Sequence, residues 1–395
     1  MNEWLSVPVG PDAAQWVTRG VRRTAVVAVH NVVSGQRLLD VVGLIESDPA
    51  VQVVYTRAPD VFHGGVEQFL HTIGALEIPW RQAVHERFDL VLAAAHGRLH
   101  ELYGPVMVLP HGTGFTKTAH RSCGRDHMVW DGRLVPTSIA LSHEAQRDLL
   151  ARQYPDALDA TFVAGDPCYD RLLASARLRS DYRAALDVAG EQRLVVVTST
   201  WGRHSLLSRH QDLLCRLTRQ LDPSRYRVVV LAHPAMWFAH GRRQVHAWLA
   251  NERAAGIRLI EPETDWRAVV VAADFVVGDH GSVTTYAAAM GTPVLRTDLP
   301  AEQDDPESPQ WYVAATAPML RLSKQIEPQL EAAAGQRPPD WARTVATKLT
   351  SRPGQSHRLV RQEMYRLLGL PAPGKHRAVE PVPIPRFEVG CGHVA

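Results

Sequence analysis

Four short stretches carry side chains able to handle a proton or an anion, and each follows an apolar run. In VMVLPHGTGFTKTAH (106–120) the run stops at Pro110, and His111, Gly112 and Thr113 follow, with Lys117 six residues after the histidine. A histidine titrates near neutrality, so His111 suits a general base. Glycine lets a ligand come close to the backbone. A turn with a solvated histidine accounts for the same residues. In TSTWGR (198–203) a Val-rich run exits into Thr198, Ser199, Thr200 and Arg203. Hydroxyls and backbone amides suit phosphate oxygens, and Arg203 offers a bidentate fork. An ordinary polar loop with a capping hydroxyl is the competing reading. In AHPAMW (232–237), His233 precedes Pro234 and could meet a phosphate or leaving group, or be buried against backbone.

The fourth stretch, GDHGSV (278–283), makes the best physical case. A strand ends, a tight turn follows, and a helix starts near Ser282 and Val283. The free amides of the first turn and the helix dipole favour an anion there. Gly281 keeps the backbone open, Ser282 can cap the helix and donate its hydroxyl, and His280 lies in the same turn. Asp279 would repel phosphate, so it is expected to brace the loop or to contact a ribose.

These residues need elements to hold them at strand ends. TAVVAVH (24–30), VQVVYTR (51–57), FDLVLAAA (88–95) and PVMVLP (105–110) read as buried strands. SGQRLLDVVGLIES (34–47) and VEQFLHTIGAL (66–76) have helical spacing. SIALSHEAQRDLLARQY (138–154) is a strand followed by a helix, and DATFVAGDP (159–167) closes the series. A second series follows. Its strands are 193–200, 226–234, 257–262, 274–280 and 293–298, with helices at 210–222, 243–256 and from Ser282 to Gly291. Apolar runs alternating with helices indicate βαβ units and parallel sheets covered on both faces. The fold class is therefore α/β, with two doubly wound Rossmann-like domains and ligand expected in the cleft between them, outside the carboxyl ends of the strands. The boundary falls in the polar segment near 175–192. A late helix (358–370) precedes a Pro- and Gly-rich tail, expected to be extended.

Composition narrows the classes. The chain has 395 residues, enough for two cores, and a net charge of only +2, which argues against nucleic acid as a partner. No apolar stretch is long enough to span a membrane, and the N-terminus lacks a secretory pattern, so a cytoplasmic protein is expected. The four cysteines, Cys123, Cys168, Cys215 and Cys391, form no CxxC pair. Asp304-Asp305 sit in a polar loop without ligand spacing. P-loop, GxGxxG and HExxH motifs are missing. Neither a metal nor a cofactor is expected.

Taken in order, these stretches resemble the CDP-glycerol glycerophosphotransferase family, over roughly residues 105–300. His111, Gly112, Thr113 and Lys117 match its His-Gly-Thr-x-x-x-Lys motif. Gly165, Pro167, Asp170 and Leu172 match a Gly-x-Pro-x-x-Asp-x-Leu element. Thr200, Trp201 and Arg203, then His233 and Pro234, then Asp279, Gly281, Ser282 and Val283 follow in the family's order. The family's first serine is Gly281 here, and its Arg-Asn before Asp170 is replaced by Cys168-Tyr169.

The resemblance implies a GT-B architecture, with an acceptor-binding domain over 1–180 and a nucleotide-donor domain over 186–352. A C-terminal helix (353–372) and a tail (373–395) complete the chain. It implies a metal-independent transferase moving a glycosyl or glycerophosphate-type group from a CDP- or UDP-type donor to an acceptor hydroxyl. His111 would be the base, with Gly112, Thr113 and Lys117 on the acceptor side. His233 would join Thr200, Arg203, Asp279, His280, Gly281, Ser282 and Val283 around the donor's pyrophosphate. A 2-epimerase-like isomerase and a non-catalytic nucleotide-binding protein on the same fold are the alternatives. Oligomeric state is left open.

Overall fold

The computed structural model describes residues 4–10, 13–15, 18–115, 128–297 and 305–386. Contacts divide the chain into two units: Met1–Asp170, Ala301–Tyr312 and Ala346–Ala378 form the first, and Arg171–Pro300, Val313–Val345 and Val379–Ala395 the second. Among the described residues, no helix is long and apolar enough to cross a membrane.

The first unit is built on β1 (Arg23–Val29), β2 (Val51–Arg57), β3 (Leu90–Ala93), β4 (Val106–Val108), β7 (Ser138–Leu141) and β8 (Thr161–Val163). A two-stranded hairpin of β5 (Val129–Trp130) and β6 (Arg133–Leu134) lies outside this sheet. The order is β2-β1-β3-β4-β7-β8, and every pair is parallel. The second unit has β9 (Arg193–Ser199), β10 (Tyr226–Ala232), β11 (Arg258–Ile260), β12 (Phe275–Gly278) and β13 (Val294–Arg296), in the order β11-β10-β9-β12-β13, again all parallel. The Val-rich runs sit at sheet centres. Ala25 to Val29 and Leu194 to Val197 are fully buried, because helices cover both faces of a parallel sheet. Each order has one place where consecutive strands leave in opposite directions: between β1 and β3, and between β9 and β12. Chain leaving those strand ends diverges to the two sheet faces and opens a crevice.

The helices depart from the sequence pattern in specific ways. The stretch 34–47 is two helices, Val32–Leu39 and Gly43–Glu46. Asp40 turns inward to Arg37, 3.4 Å away, and the β-branched Val41-Val42 pair before Gly43 does not favour continuation. The polar segment near 175–192 is largely helical, including Arg179–Ala185. Its charges are structural: Arg179 and Arg183 both donate to Asp274, at 2.7 and 2.6 Å, and Asp274 accepts the β9 amide of Leu194 at 2.7 Å. The tail is extended and also anchored. Val382 is fully buried, its N–H donates to Ser175 Oγ at 3.0 Å, and its carbonyl accepts the Tyr182 hydroxyl at 2.7 Å.

The Gly-x-Pro-x-x-Asp element is a seat for the late helix, Ser356–Leu368. Gly165 has φ +85, and a Cβ there would lie 2.8 Å from the Arg352 carbonyl oxygen. Asp170 accepts the Gly354 amide at 2.6 Å, the Ser356 amide at 2.9 Å and the Ser356 hydroxyl at 2.5 Å. Asp170→Ala strands these buried donors and should cost about 2–3 kcal/mol. Urea unfolding of the purified variant measures it.

Candidate functional site

In the second unit, Asp279 follows β12 and Thr200 follows β9, one on each side of the switch point. One carboxylate oxygen of Asp279 accepts three donors: the Thr200 amide at 2.8 Å, the Thr200 hydroxyl at 2.7 Å and the Leu206 amide at 2.9 Å. The other accepts the Gly281 amide at 3.2 Å. Asp279 is buried. Of the two roles expected for it, geometry gives loop bracing. Its charge is spent on backbone donors and tied to the turn that opens the helix Ser282–Ala289.

The cap of that helix differs from expectation. Gly281 is the N-cap, without a side-chain cap, and Ser282 is the first helical residue. Ser282 therefore does not cap; an amide needs a cap residue whose oxygen turns back over the first turn, and position 281 has no side chain. The first-turn amides lack intrahelical acceptors by the geometry of any α-helix, and the dipole makes this end positive. A Cβ on residue 281 would lie 2.9 Å from the Thr200 methyl and 3.3 Å from Asp279 Oδ1. That crowding favours glycine at position 281. Gly281→Ala should push Thr200 off Asp279 and cost about 1–3 kcal/mol of stability, measured by urea unfolding.

His233 leaves the end of β10 beside β9, its amide donating to the Ser199 carbonyl at 3.0 Å. Its Nδ1 accepts the Ala235 amide at 3.1 Å and so caps the helix Pro234–His240. This assignment places the ring proton on Nε2, which makes that nitrogen a donor suited to a phosphate oxygen. The Trp201 ring lies 6.3 Å from the His233 ring. Arg203 and His280 are exposed, and Arg203 donates to His204 at 2.9 Å. Thr200, His233, Asp279, Gly281, Ser282 and Val283 thus share the carboxyl edge of one sheet, while Arg203 is directed to its own neighbour.

In the first unit, His111 stands three residues beyond β4, the strand that pairs with β3. Its Nδ1 pairs with the Ala94 carbonyl at 2.7 Å. A carbonyl only accepts, so Nδ1 carries the proton and Nε2 keeps its lone pair. Loss of hydration among crowded protein atoms pushes the His111 pKa below the ordinary value, and the Arg37 charge lowers it further, against the Ala94 carbonyl and Asp60. The residue as a whole is exposed. Gly112 has φ +95, a backbone conformation glycine adopts freely. Thr113 is buried, and its carbonyl accepts the Gln146 amide at 3.3 Å. Lys117 lies outside the described residues.

No family model matches the chain, and no curated protein matches it. Solved structures do. A histidine variant of the wall teichoic acid polymerase TagF superposes with TM-score 0.61 at 11% identity, covering 88% of this chain and 89% of that one. S. aureus MnaA in complex with UDP gives 0.53 at 14%, covering 87% and 97%. A Listeria monocytogenes protein described as a UDP-N-acetylglucosamine 2-epimerase gives 0.53 at 14%, covering 91% and 100%. The fold is GT-B-like. At these identities the likeness concerns the fold.

Within this GT-B-like chain, the strand-end rule reaches further than the four stretches read from the sequence. His30 follows β1, is fully buried, and pairs through Nε2 with the Gly97 carbonyl at 2.7 Å. Burial lowers its pKa, and both Asp60 and His111 are close enough to influence it. Arg37, buried, faces Asp40 at 3.4 Å and Asp166 at 3.9 Å. The signal was available: AVVAVH and LAAAHG both end apolar runs in histidine, as VMVLPH does.

Proposed function

We propose that the protein transfers a glycosyl or glycerophosphate-type group from a CDP- or UDP-activated donor to an acceptor hydroxyl. The observation that carries this reading is the Asp279 brace. It joins the loop after β9 to the start of the helix Ser282–Ala289, so that first-turn amides stand at the switch point with their positive end exposed to a ligand. The Nε2–H of His233 supplies a further donor. As the bond to the leaving nucleotide breaks, its electron pair settles on a phosphate oxygen, and these fixed dipoles stabilise the charge without reorganising. His111 supplies the other half: its Nε2 lone pair takes the proton of the acceptor hydroxyl as that oxygen attacks. Gly112, Thr113 and Lys117 are assigned to the acceptor side.

Among the fold neighbours, TagF was soaked with CDPG and MnaA was solved with UDP, which supports a nucleotide-linked donor. An isomerase on this fold needs carboxylates poised to move a proton. The two candidates here are committed elsewhere: Asp166 accepts the Tyr169 amide at 2.9 Å and faces Arg37, and Asp279 is the brace. Transfer is therefore the better reading.

The test is a thermal-shift panel of CDP, UDP, GDP and dTDP compounds, followed by nucleotide release with and without acceptor hydroxyls. A ligand that binds only the folded protein raises the midpoint. Acceptor-dependent release supports transfer, and acceptor-independent turnover of a UDP-sugar to its epimer supports the isomerase. Binding without turnover supports a non-catalytic protein.

A further inference from the structure

Two histidines hold one short turn from opposite sides. β3 lies between β1 and β4 in the first sheet. Its ladder stops at Ala93, which pairs with Ala28 of β1 and with Val108 of β4. His30 follows β1 and His111 follows β4, so the two rings flank the chain that leaves β3. In that turn the Ala94 carbonyl accepts from His111 Nδ1 and the Gly97 carbonyl accepts from His30 Nε2, each at 2.7 Å. Between these anchors the His96 ring lies 6.4 Å from the ring of Phe115, on the segment that carries His111.

A peptide unit is rigid, so the direction of the Ala94 carbonyl is set by the dihedral angles on either side of it. On the far side those angles belong to the turn and not to the ladder. The contact at the other end of the turn is close: a Cβ on residue 97 would lie 3.3 Å from His30 Cδ2. His30 is fully buried, and a buried polar ring is costly unless it is bonded. Its bond to Gly97 meets that requirement and pins the turn.

The tautomer of His111 depends on where the Ala94 carbonyl points. In free histidine the neutral ring prefers its proton on Nε2. That form cannot act at position 111, where Nε2 is the atom that must take a proton. The hydrogen bond made by one ring nitrogen decides the state of the other, and the Ala94 carbonyl holds the proton on Nδ1.

We propose that His30 is a positioning residue for the reaction: by fixing the Gly97 end of the turn, it keeps the Ala94 carbonyl aimed at His111 Nδ1 and the lone pair on Nε2. The inference rests on the reading of His111 as the base. Burial lowers the His30 pKa, with the Gly97 carbonyl and Asp60 acting against it and His111 acting with it. His111 is lowered by lost hydration and by Arg37, which faces Asp40 and Asp166, against the Ala94 carbonyl and Asp60. Both rings are therefore neutral in mildly alkaline solution, where the tautomer is the variable that remains.

His30→Leu and His30→Gln make a matched pair. Both fill much of the ring's space, and only glutamine brings an N–H to where Nε2 stood. Long-range ¹H–¹⁵N spectra of the histidine side chains, recorded in mildly alkaline buffer, read each tautomer. The His111 signals are assigned by their loss in His111→Gln. Wild type is expected to show His111 in the Nδ1–H form. His30→Leu should move it toward the Nε2–H form, and His30→Gln should restore the first. If His30→Leu does not fold, Gly97→Ala, which crowds the turn off an intact His30, carries the same test. Where nucleotide release from CDP-glycerol or UDP-N-acetylglucosamine depends on an acceptor hydroxyl, kcat should fall about tenfold in His30→Leu at little-changed KM and recover in His30→Gln. A histidine that only supports the fold predicts lower stability in urea with the His111 tautomer unchanged, and that result overturns the proposal. A wild-type His111 already in the Nε2–H form overturns it as well. A tautomer that shifts as stated while turnover stays at the wild-type level upholds the positioning and instead removes His111 as the base.

Discussion

His111→Ala is expected to lower kcat by about 10²–10⁴-fold, with nucleotide binding retained. The affinity should survive because the nucleotide is assigned to the other unit. Residue 111 takes no part in that unit's brace, in which Asp279 accepts from Thr200, Leu206 and Gly281. His111→Gln is the companion, because an amide can occupy the space but cannot take a proton at neutral pH. Single-turnover rates with a saturating donor separate chemistry from binding. The wild-type pH profile checks the same assignment. A histidine whose folded pKa is lowered is deprotonated, and so competent as a base, above that lowered value. The acid limb of kcat/KM should therefore fall below the ordinary histidine value of 6.5 and disappear in His111→Gln. Wild-type turnover in both variants would remove His111 from the reaction.

Asp279→Ala is expected to be the most damaging single change in the second unit. Four donors, three of them backbone amides, lose one buried acceptor group. Hydrogen bonds to a charged acceptor each contribute about 1.5–3 kcal/mol, and relaxation recovers part, so a loss of about 4 kcal/mol is expected. Nucleotide affinity should fall more than about 100-fold, since the loop after β9 is no longer tied to the helix start. Asp279→Asn keeps one acceptor oxygen and should fall between. Chemical unfolding and calorimetric titration read the two effects. If Asp279→Ala destabilises the protein and leaves CDP and UDP binding unchanged, the brace is structural only and the donor site is elsewhere.

The sheets were legible because parallel strands buried on both faces have an unmistakable composition; AVVAV and VVV admit little else. The candidate residues were legible for a related reason. Chemistry in such folds sits at strand ends, and the sequence marks a strand end where an apolar run stops. What the sequence concealed was partnership. Asp279 reads either as a loop brace or as a ribose contact until its oxygens are found occupied by Thr200, Leu206 and Gly281. The segment 175–192 reads as a polar domain boundary, since the pattern cannot show that Arg179 and Arg183 converge on Asp274. Ser282 reads as a cap because serine is a good one, but the turn places the cap one residue earlier. His30 and His96 also end apolar runs, so the same rule applies to them.

The seat formed by Asp170 has a consequence for synthesis. Its partner Ser356 lies 186 residues downstream, and translation proceeds at about 5–20 residues per second, so this carboxylate waits roughly 10–40 s for its counterpart to leave the ribosome. The first sheet is complete long before the helix that covers its flank has been made. Nascent chains stalled before residue 354 should accordingly engage holding chaperones through this unfinished face, and release from them should coincide with emergence of the last helix.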